Sequence, residues 1–309
     1  MLARMRSEPL RGLPRRTILK AGVAGALASL AAAAPLRTRR ARKLKKALKY
    51  GMIGEGEGVR AKFELVKELG FDGVEVDSPS GLDLDELLEA KAATGLEIPG
   101  VVLSTHWSKP FSHADEAVRA EARAALETAL RDCKELGGSS VLVVPAVVSA
   151  ATSYADAYER SQAEIRQLVP LAEELGVDIA FENVWNNFLL SPLEAARYVD
   201  EFESERVGWY LDVGNIVLYG WPAQWVEVLG KRVFKLDIKD YSRKKLNDEG
   251  RWAGFQVQIG EGDADWPAVM RALDAIGYEG WGTAEVGGGD RARLTQIAAN
   301  MDEVFASGV

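Results

Sequence analysis

The stretch VDIAFEN (177–183), followed by SPLEAARYVDEF (191–202) and then VGWYLDV (207–213), decides the fold. Its outer segments are short apolar runs of strand length, and the middle one carries apolar residues at helical spacing. Strand, helix and strand joined by short connections make a parallel α/β unit. Working outward, the same alternation fills the chain from Lys49 onward. Toward the N-terminus the expected strands are YGMIG (50–54), FDGVEV (71–76), IPGVVLSTHW (98–107) and SSVLVVPAVV (139–148), each followed by a helical pattern. Toward the C-terminus, VFKLDIKD (233–240) and GWGTAEV (280–286) repeat the theme. Helical patterns end in Leu-Gly or Ile-Gly at Gly70, Gly137, Gly176 and Gly277, where glycine supplies a left-handed cap before the next strand.

Eight such units in about 260 residues is the size of a (β/α)8 barrel, and the predicted fold class is α/β of that kind. A doubly wound dinucleotide-binding sheet is disfavoured. The glycines at Gly54, Gly56 and Gly58 lack the G-x-G-x-x-G spacing that follows a first strand.

Four acids sit at or just after the ends of the later strands: Glu182, Asp212, Asp237 and Glu285. An unpaired buried carboxylate loses hydration that it must recover from a partner. Four converging on one point repel one another, and a divalent cation relieves that repulsion. In a parallel barrel the C-terminal strand ends build the active site, so the expectation is a metal-dependent enzyme.

The N-terminus reads differently. Arg4, Arg6 and Arg11 precede Arg15-Arg16-Thr17-Ile18-Leu19-Lys20 and an uncharged run from Ala21 to Ala34, the plan of a signal peptide. The adjacent arginines resemble a twin-arginine export signal. Residues 1–34 are therefore expected to be that signal, 35–48 a basic linker, and 49–309 the barrel. Export implies transient contact with export machinery and a periplasmic location, with an uncleaved membrane anchor as the alternative. The full chain of 309 residues has a net charge of −8, and residues 1–34 remove six basic residues against one acid. So acidic a remainder repels nucleic-acid phosphates. Cys133 is the single cysteine, which excludes an intrachain disulfide and is expected in the core.

From about Leu48 to the C-terminus the chain resembles the xylose isomerase-like TIM barrels, specifically the sugar phosphate isomerase/epimerase group with its tagatose and psicose epimerases and inosose dehydratases. The motifs are E-N after strand five, L-D-x-G-N after strand six, x-K-D after strand seven and A-E-V after strand eight. The resemblance implies one divalent metal held at Glu182, Asp212, Asp237 and Glu285. Asp237 stands where the family has histidine, and an all-oxygen set favours Mn²⁺ or Mg²⁺. Asn215 stands where epimerases often carry a substrate-contacting histidine; its amide donates a hydrogen bond but exchanges no proton near neutral pH. The implied chemistry is proton removal beside a carbonyl, with Glu182 and Glu285 as acid and base and Lys239 assisting.

The substrate contacts expected are Glu75, His106, Trp107, Trp185, Asn187, Asn215 and Arg251. For several, a structural role stands open beside the functional one: Glu75 as an internal polar anchor, Lys239 as an ion-pair partner of Asp240, the tryptophans as packing. The loop 241–258, with Arg251 and Trp252, is long enough for a lid. The glycines at 287–289 lie where many barrels bind phosphate. Phosphorylated sugars are scarce outside the cytoplasm, so a sugar without phosphate is expected. The leading function is a metal-dependent sugar isomerase/epimerase acting on a ketose or keto-sugar. The alternatives are a keto-sugar dehydratase/lyase and a non-catalytic carbohydrate-binding barrel; an endonuclease IV-like metal cluster is disfavoured by a chain with two histidines. A homodimer is the default oligomer.

Overall fold

The computed structural model describes residues 43–308. Eight strands, β1 Leu44–Lys49, β2 Gly73–Ser78, β3 Gly100–Leu103, β4 Ser140–Val143, β5 Asp178–Glu182, β6 Val207–Asp212, β7 Val233–Ile238 and β8 Gly280–Ala284, form one closed barrel in chain order. Every pairing is parallel, including the closing one, which sets Leu44 beside Gly280 and Leu48 beside Ala284. Helices connect successive strands and bury their apolar faces on the outside of the barrel, among them Val66, Leu126, Ala129, Val226, Met270 and Leu294. Cys133 is buried in this layer. Inside the barrel a small apolar cluster of Leu142, Ala180 and Tyr210 fills the centre.

The expected glycine caps form: Gly70, Gly137, Gly176 and Gly277 all have positive φ. The long helical pattern at 154–176 divides at Pro170 into helices Tyr154–Arg166 and Val169–Leu175, because proline cannot supply the interior backbone hydrogen bond.

The first strand corrects the sequence reading. It occupies Leu44–Lys49, so all but its last residue fall within the expected basic linker 35–48, while Tyr50–Met52 form a 3-10 turn. Lysines concealed the strand. Lys45 and Lys46 set their ammonium groups over the rings of Trp281 and Phe71 and pair them with Glu97 and Asp302, while Ala47 and Leu48 are buried. The signal segment 1–34 and the linker through residue 42 lie outside the described residues.

Residues 241–258 are a built wall. They carry helix Arg243–Glu249 and the turn Ala253–Phe255. Asp240 pins the segment by accepting hydrogen bonds from the backbone N–H groups of Tyr241, Gly260 and Ala264 and from the Trp266 indole.

Candidate metal centre and cavity

The barrel turns strand position into proximity. Parallel register places Asp212 directly beside Asp237, and Glu182 beside Tyr210 on the next strand. Glu285 follows the last residue of β8. One carboxylate oxygen from each of Glu182, Asp212, Asp237 and Glu285 lies within 4.8 Å of the others. Asp212 and Asp237 are fully buried, Glu182 nearly so, and Glu285 half-buried.

Protein donors satisfy this cluster unevenly. Asn215 donates its side-chain amide to Asp212 Oδ2 at 2.6 Å and Glu182 Oε1 at 3.2 Å, and its backbone N–H to Asp212 Oδ1 at 2.8 Å. Asn183 holds the backbone around Asp212 by donating to its carbonyl and accepting from its N–H. Lys239 bridges Asp212 Oδ2 at 2.7 Å and Glu285 Oε2 at 2.5 Å. Gly214 makes room for that lysine, since a Cβ there would fall 2.5 Å from Lys239 Cγ. Asp237 receives no hydrogen bond at either oxygen, and its close partner is the charge of Lys49, 3.0 Å from Oδ1. A buried carboxylate without hydrogen bonds is the observation that fits a cation. Three buried acids and a half-buried one form an oxygen-only donor set suited to a hard divalent ion.

Burial sets the titration of these groups. It raises Asp237 and Glu182 well above the carboxylate range, reinforced for Glu182 by Glu285, Asp212 and Asp237 and opposed for Asp237 by Lys49. Burial also raises Asp212, to about 6, against the pull of Lys239. For Glu285 burial acts upward too, but Lys239 and Lys49 overcome it and hold the group down at about 2. Lys239 stays firmly charged: burial works against it, and Asp212, Glu285 and Glu182 prevail. Burial lowers His106 to about 4, which leaves a neutral imidazole whose Nδ1 accepts from the Val144 N–H.

A cavity of about 400 Å³ opens above the cluster. Glu182, Glu285, Lys239 and Asn215 form its polar side, and His106, Trp107 and Trp185 line it as expected. Three expected substrate contacts lie off it. Glu75 points into the barrel interior, where it meets Lys49 at 2.5 Å and Tyr210 at 2.9 Å, so it is the internal polar anchor. Asn187 is exposed, has φ 59° and donates to the Val148 carbonyl at 3.2 Å. Arg251 lies over the ring of Trp185 at 4.3 Å and braces that tryptophan. Lys239 pairs with cluster acids, as Asp240 is engaged in pinning the wall.

Sequence reasoning missed Lys49, which joins Glu75 to Asp237. Lys49 had one usable signal, a lysine closing the first strand, but the strand had been placed one segment late. Of the glycines at 287–289, Gly288 and Gly289 serve close backbone packing, and Gly287 faces open space. Gly289 donates to the Met52 carbonyl and accepts from the Gly54 N–H, and a side chain at Gly288 would overlap the Met52 backbone.

The closed parallel barrel of eight strands with helices between them defines a class, the (β/α)8 barrels. The family model described as xylose isomerase-like TIM barrel matches residues 63–304, and the chain belongs to that family. An L-ribulose-5-phosphate 3-epimerase, UlaE, of Escherichia coli O1:K1 is 24% identical over 237 residues, covering 73% of this chain and 81% of the relative. An inosose dehydratase of Geobacillus thermodenitrificans is 26% identical over 242 residues, 70% of this chain and 78% of the relative. Among solved structures, the IOLI protein with a binding zinc atom superposes with a TM-score of 0.71 at 21% identity, covering 85% of this chain and 98% of that one; this likeness shows the fold.

Proposed function

We propose that this chain is a divalent-metal-dependent isomerase or epimerase of an unphosphorylated ketose or keto-sugar. The observation that carries the reading is the cavity floor, where Glu182 and Glu285 face the open space beside Asp212 and an Asp237 that accepts no hydrogen bond. The epimerase name of the UlaE relative supports the reaction class. Glu182, Asp212, Asp237 and Glu285 would hold the ion, with Mn²⁺ or Mg²⁺ favoured by the hard oxygen set. When bound, the metal supplies charge stabilisation for a substrate oxygen that becomes negative as the adjacent C–H proton leaves.

The remaining work falls to side chains. Glu182, oriented by Asn215 and ionised where a cation offsets its acidic neighbours, takes the proton from carbon. The Glu285–Lys239 pair, whose ammonium holds the proton, returns one on the other side of the substrate; delivery to the same carbon inverts it, and delivery to the neighbouring carbon isomerises the sugar. Lys239 balances the charge of Asp212 and Glu285 and stands at the cavity wall for a substrate oxygen. A keto-sugar dehydratase is the second reading, favoured by the inosose dehydratase relative and by an ammonium 2.5 Å from Glu285, a proton source for a departing hydroxyl.

The test is exchange of the substrate C–H proton with solvent deuterium, run with and without Mn²⁺ or Mg²⁺ on a ketose panel. Metal titration into wild type and Asp237→Ala accompanies it. Metal-dependent exchange with an epimeric or isomeric product supports the reading. An ultraviolet-absorbing unsaturated product selects the dehydratase. No exchange across the panel and no site-specific metal sinks both. Export through the twin-arginine route, from residues 1–34, belongs to the same proposal; Arg15→Lys with Arg16→Lys is expected to trap the protein in the cytoplasm in a fractionation assay.

A further inference from the structure

Two tryptophans at the cavity are left unexplained by a single bound sugar. Trp107, on the segment after β3, is 51% exposed, and Trp252, on the wall after β7, is 72% exposed; both line the cavity whose floor carries the buried Glu182 and the half-buried Glu285. Exposure therefore rises from floor to mouth, and these indoles mark the mouth. Neither is loose. Trp107 packs edge-on to His106 at 5.7 Å, and Trp252 is held by Trp185 at 5.2 Å and by the Arg251 guanidinium at 5.9 Å. Trp185 itself is consumed by protein contacts with Phe255, Tyr241 and Arg251. Large apolar rings fixed in place yet open to water at a ligand cavity signal a surface that a ligand covers.

The charge pattern narrows the ligand. Among the described residues lining the cavity, the charged groups are Glu182, Glu285 and Lys239, and the lysine is already engaged by Asp212 and Glu285. A phosphate at the mouth would meet acids and aromatic faces. The apolar C–H face of a pyranose or furanose ring suits an indole face, while its hydroxyl rim stays in water.

We propose that Trp107 and Trp252 form a second carbohydrate subsite, so that the substrate is an uncharged glycoside whose keto-sugar ring reacts on the carboxylate floor while a second sugar ring stacks at the mouth. This rests on the isomerase/epimerase reading for the floor, but the subsite is separately measurable.

The test compares D-fructose with maltulose, lactulose and isomaltulose, which attach a second ring to the same ketose and leave its carbonyl and neighbouring C–H free. Solvent-deuterium exchange is followed for wild type, Trp107→Ala, Trp252→Ala and the double variant, with tryptophan fluorescence quenching as a binding readout. At least one two-ring sugar is expected to exceed D-fructose about tenfold in kcat/KM, mostly through KM, the equivalent of one good stacking contact. The ratio of two-ring to one-ring kcat/KM is expected to fall toward one in the double variant. Equal rates on both classes, or a ratio the variants do not move, overturn the subsite while leaving the floor chemistry standing. If no sugar exchanges, the floor reading fails, and quenching decides the subsite alone. Quenching by two-ring sugars that is lost in the double variant supports it, and no preferential quenching overturns it.

Discussion

The barrel buries acid in two places, and they are finished differently. In the interior, Glu75 meets Lys49 at 2.5 Å, Lys235 at 3.8 Å and the Tyr210 hydroxyl at 2.9 Å, and Tyr210 in turn contacts Thr283 at 3.0 Å. Its carboxyl is held below the usual range: burial pushes it up, and Lys49 and Lys235 more than compensate. One strand-end layer higher, Asp237 has no hydrogen bond and Glu182 is raised by burial and by its acidic neighbours. The first arrangement is complete without a ligand; the second asks for one. A buried charge with all its partners is architecture, and a buried charge lacking them is a site.

The comparison can be broken most forcefully at Glu182. Glu182→Gln keeps shape and removes the base, so deuterium exchange into substrate is expected to fall by about 10²–10⁴-fold with the unfolding midpoint little changed. A variant that retains near-normal exchange moves the base elsewhere.

Glu75→Gln should do the reverse. It leaves Lys49 and Lys235 without their shared counter-charge, and breaking a buried pair in this way typically costs about 3–5 kcal/mol. Urea unfolding is expected to show that loss. A stable Glu75→Gln with abolished exchange would transfer Glu75 from architecture to the site.

Three of the four site acids also separate from Glu75 by pH. A carboxyl raised in the folded state, such as Asp212 at about 6, stays protonated where the unfolded chain has already ionised. Metal-free stability from this group therefore falls as pH rises from about 4 through about 6, with Glu182 and Asp237 extending the fall upward. Glu285 and Glu75 act oppositely, contributing stability that is lost as pH drops below the ordinary glutamate range. Because a divalent ion requires the ionised acids, its stabilisation is expected to grow across the same rise. Melting curves with and without Mn²⁺ from pH 4 to 8 read the difference directly; a constant gap contradicts it.

The smallest effect belongs to Asn187. Asn187→Ala loses one hydrogen bond and places a less tolerant residue at positive φ, a cost of about 1 kcal/mol in thermal unfolding. Less than a twofold change in kcat/KM is expected, because the side chain lies off the cavity; a larger change would extend the site along its loop.

How much of this was readable in advance follows from how local each signal is. The alternation of apolar runs and amphipathic helices, and the short connections between them, made eight strand–helix units legible. The exception was β1, where Lys45 and Lys46 of Leu44–Lys49 set their ammonium groups over Trp281 and Phe71 but read in the sequence as solvated charge. The four acids were legible because each closes an apolar run, and parallel register carries strand ends to one rim. Glu75, Asn187 and Arg251 carried comparable local signals and ended elsewhere.

Sequence alone thus determined the barrel and which acids reach its rim, since both follow from periodicity and from the end of each strand. Only the tertiary structure decided what each charge meets. Lys49 and Asp237 are far apart in the chain, and their 3.0 Å contact exists because β1 and β7 enclose the same interior. The difference between Glu75, paired with two lysines and hydrogen-bonded by Tyr210, and Asp237, which has the charge of Lys49 but no hydrogen bond, is a difference of neighbours contributed by distant strands. Electrostatic energy depends on those distances and on exclusion of water, and neither is written in the order of residues along one segment.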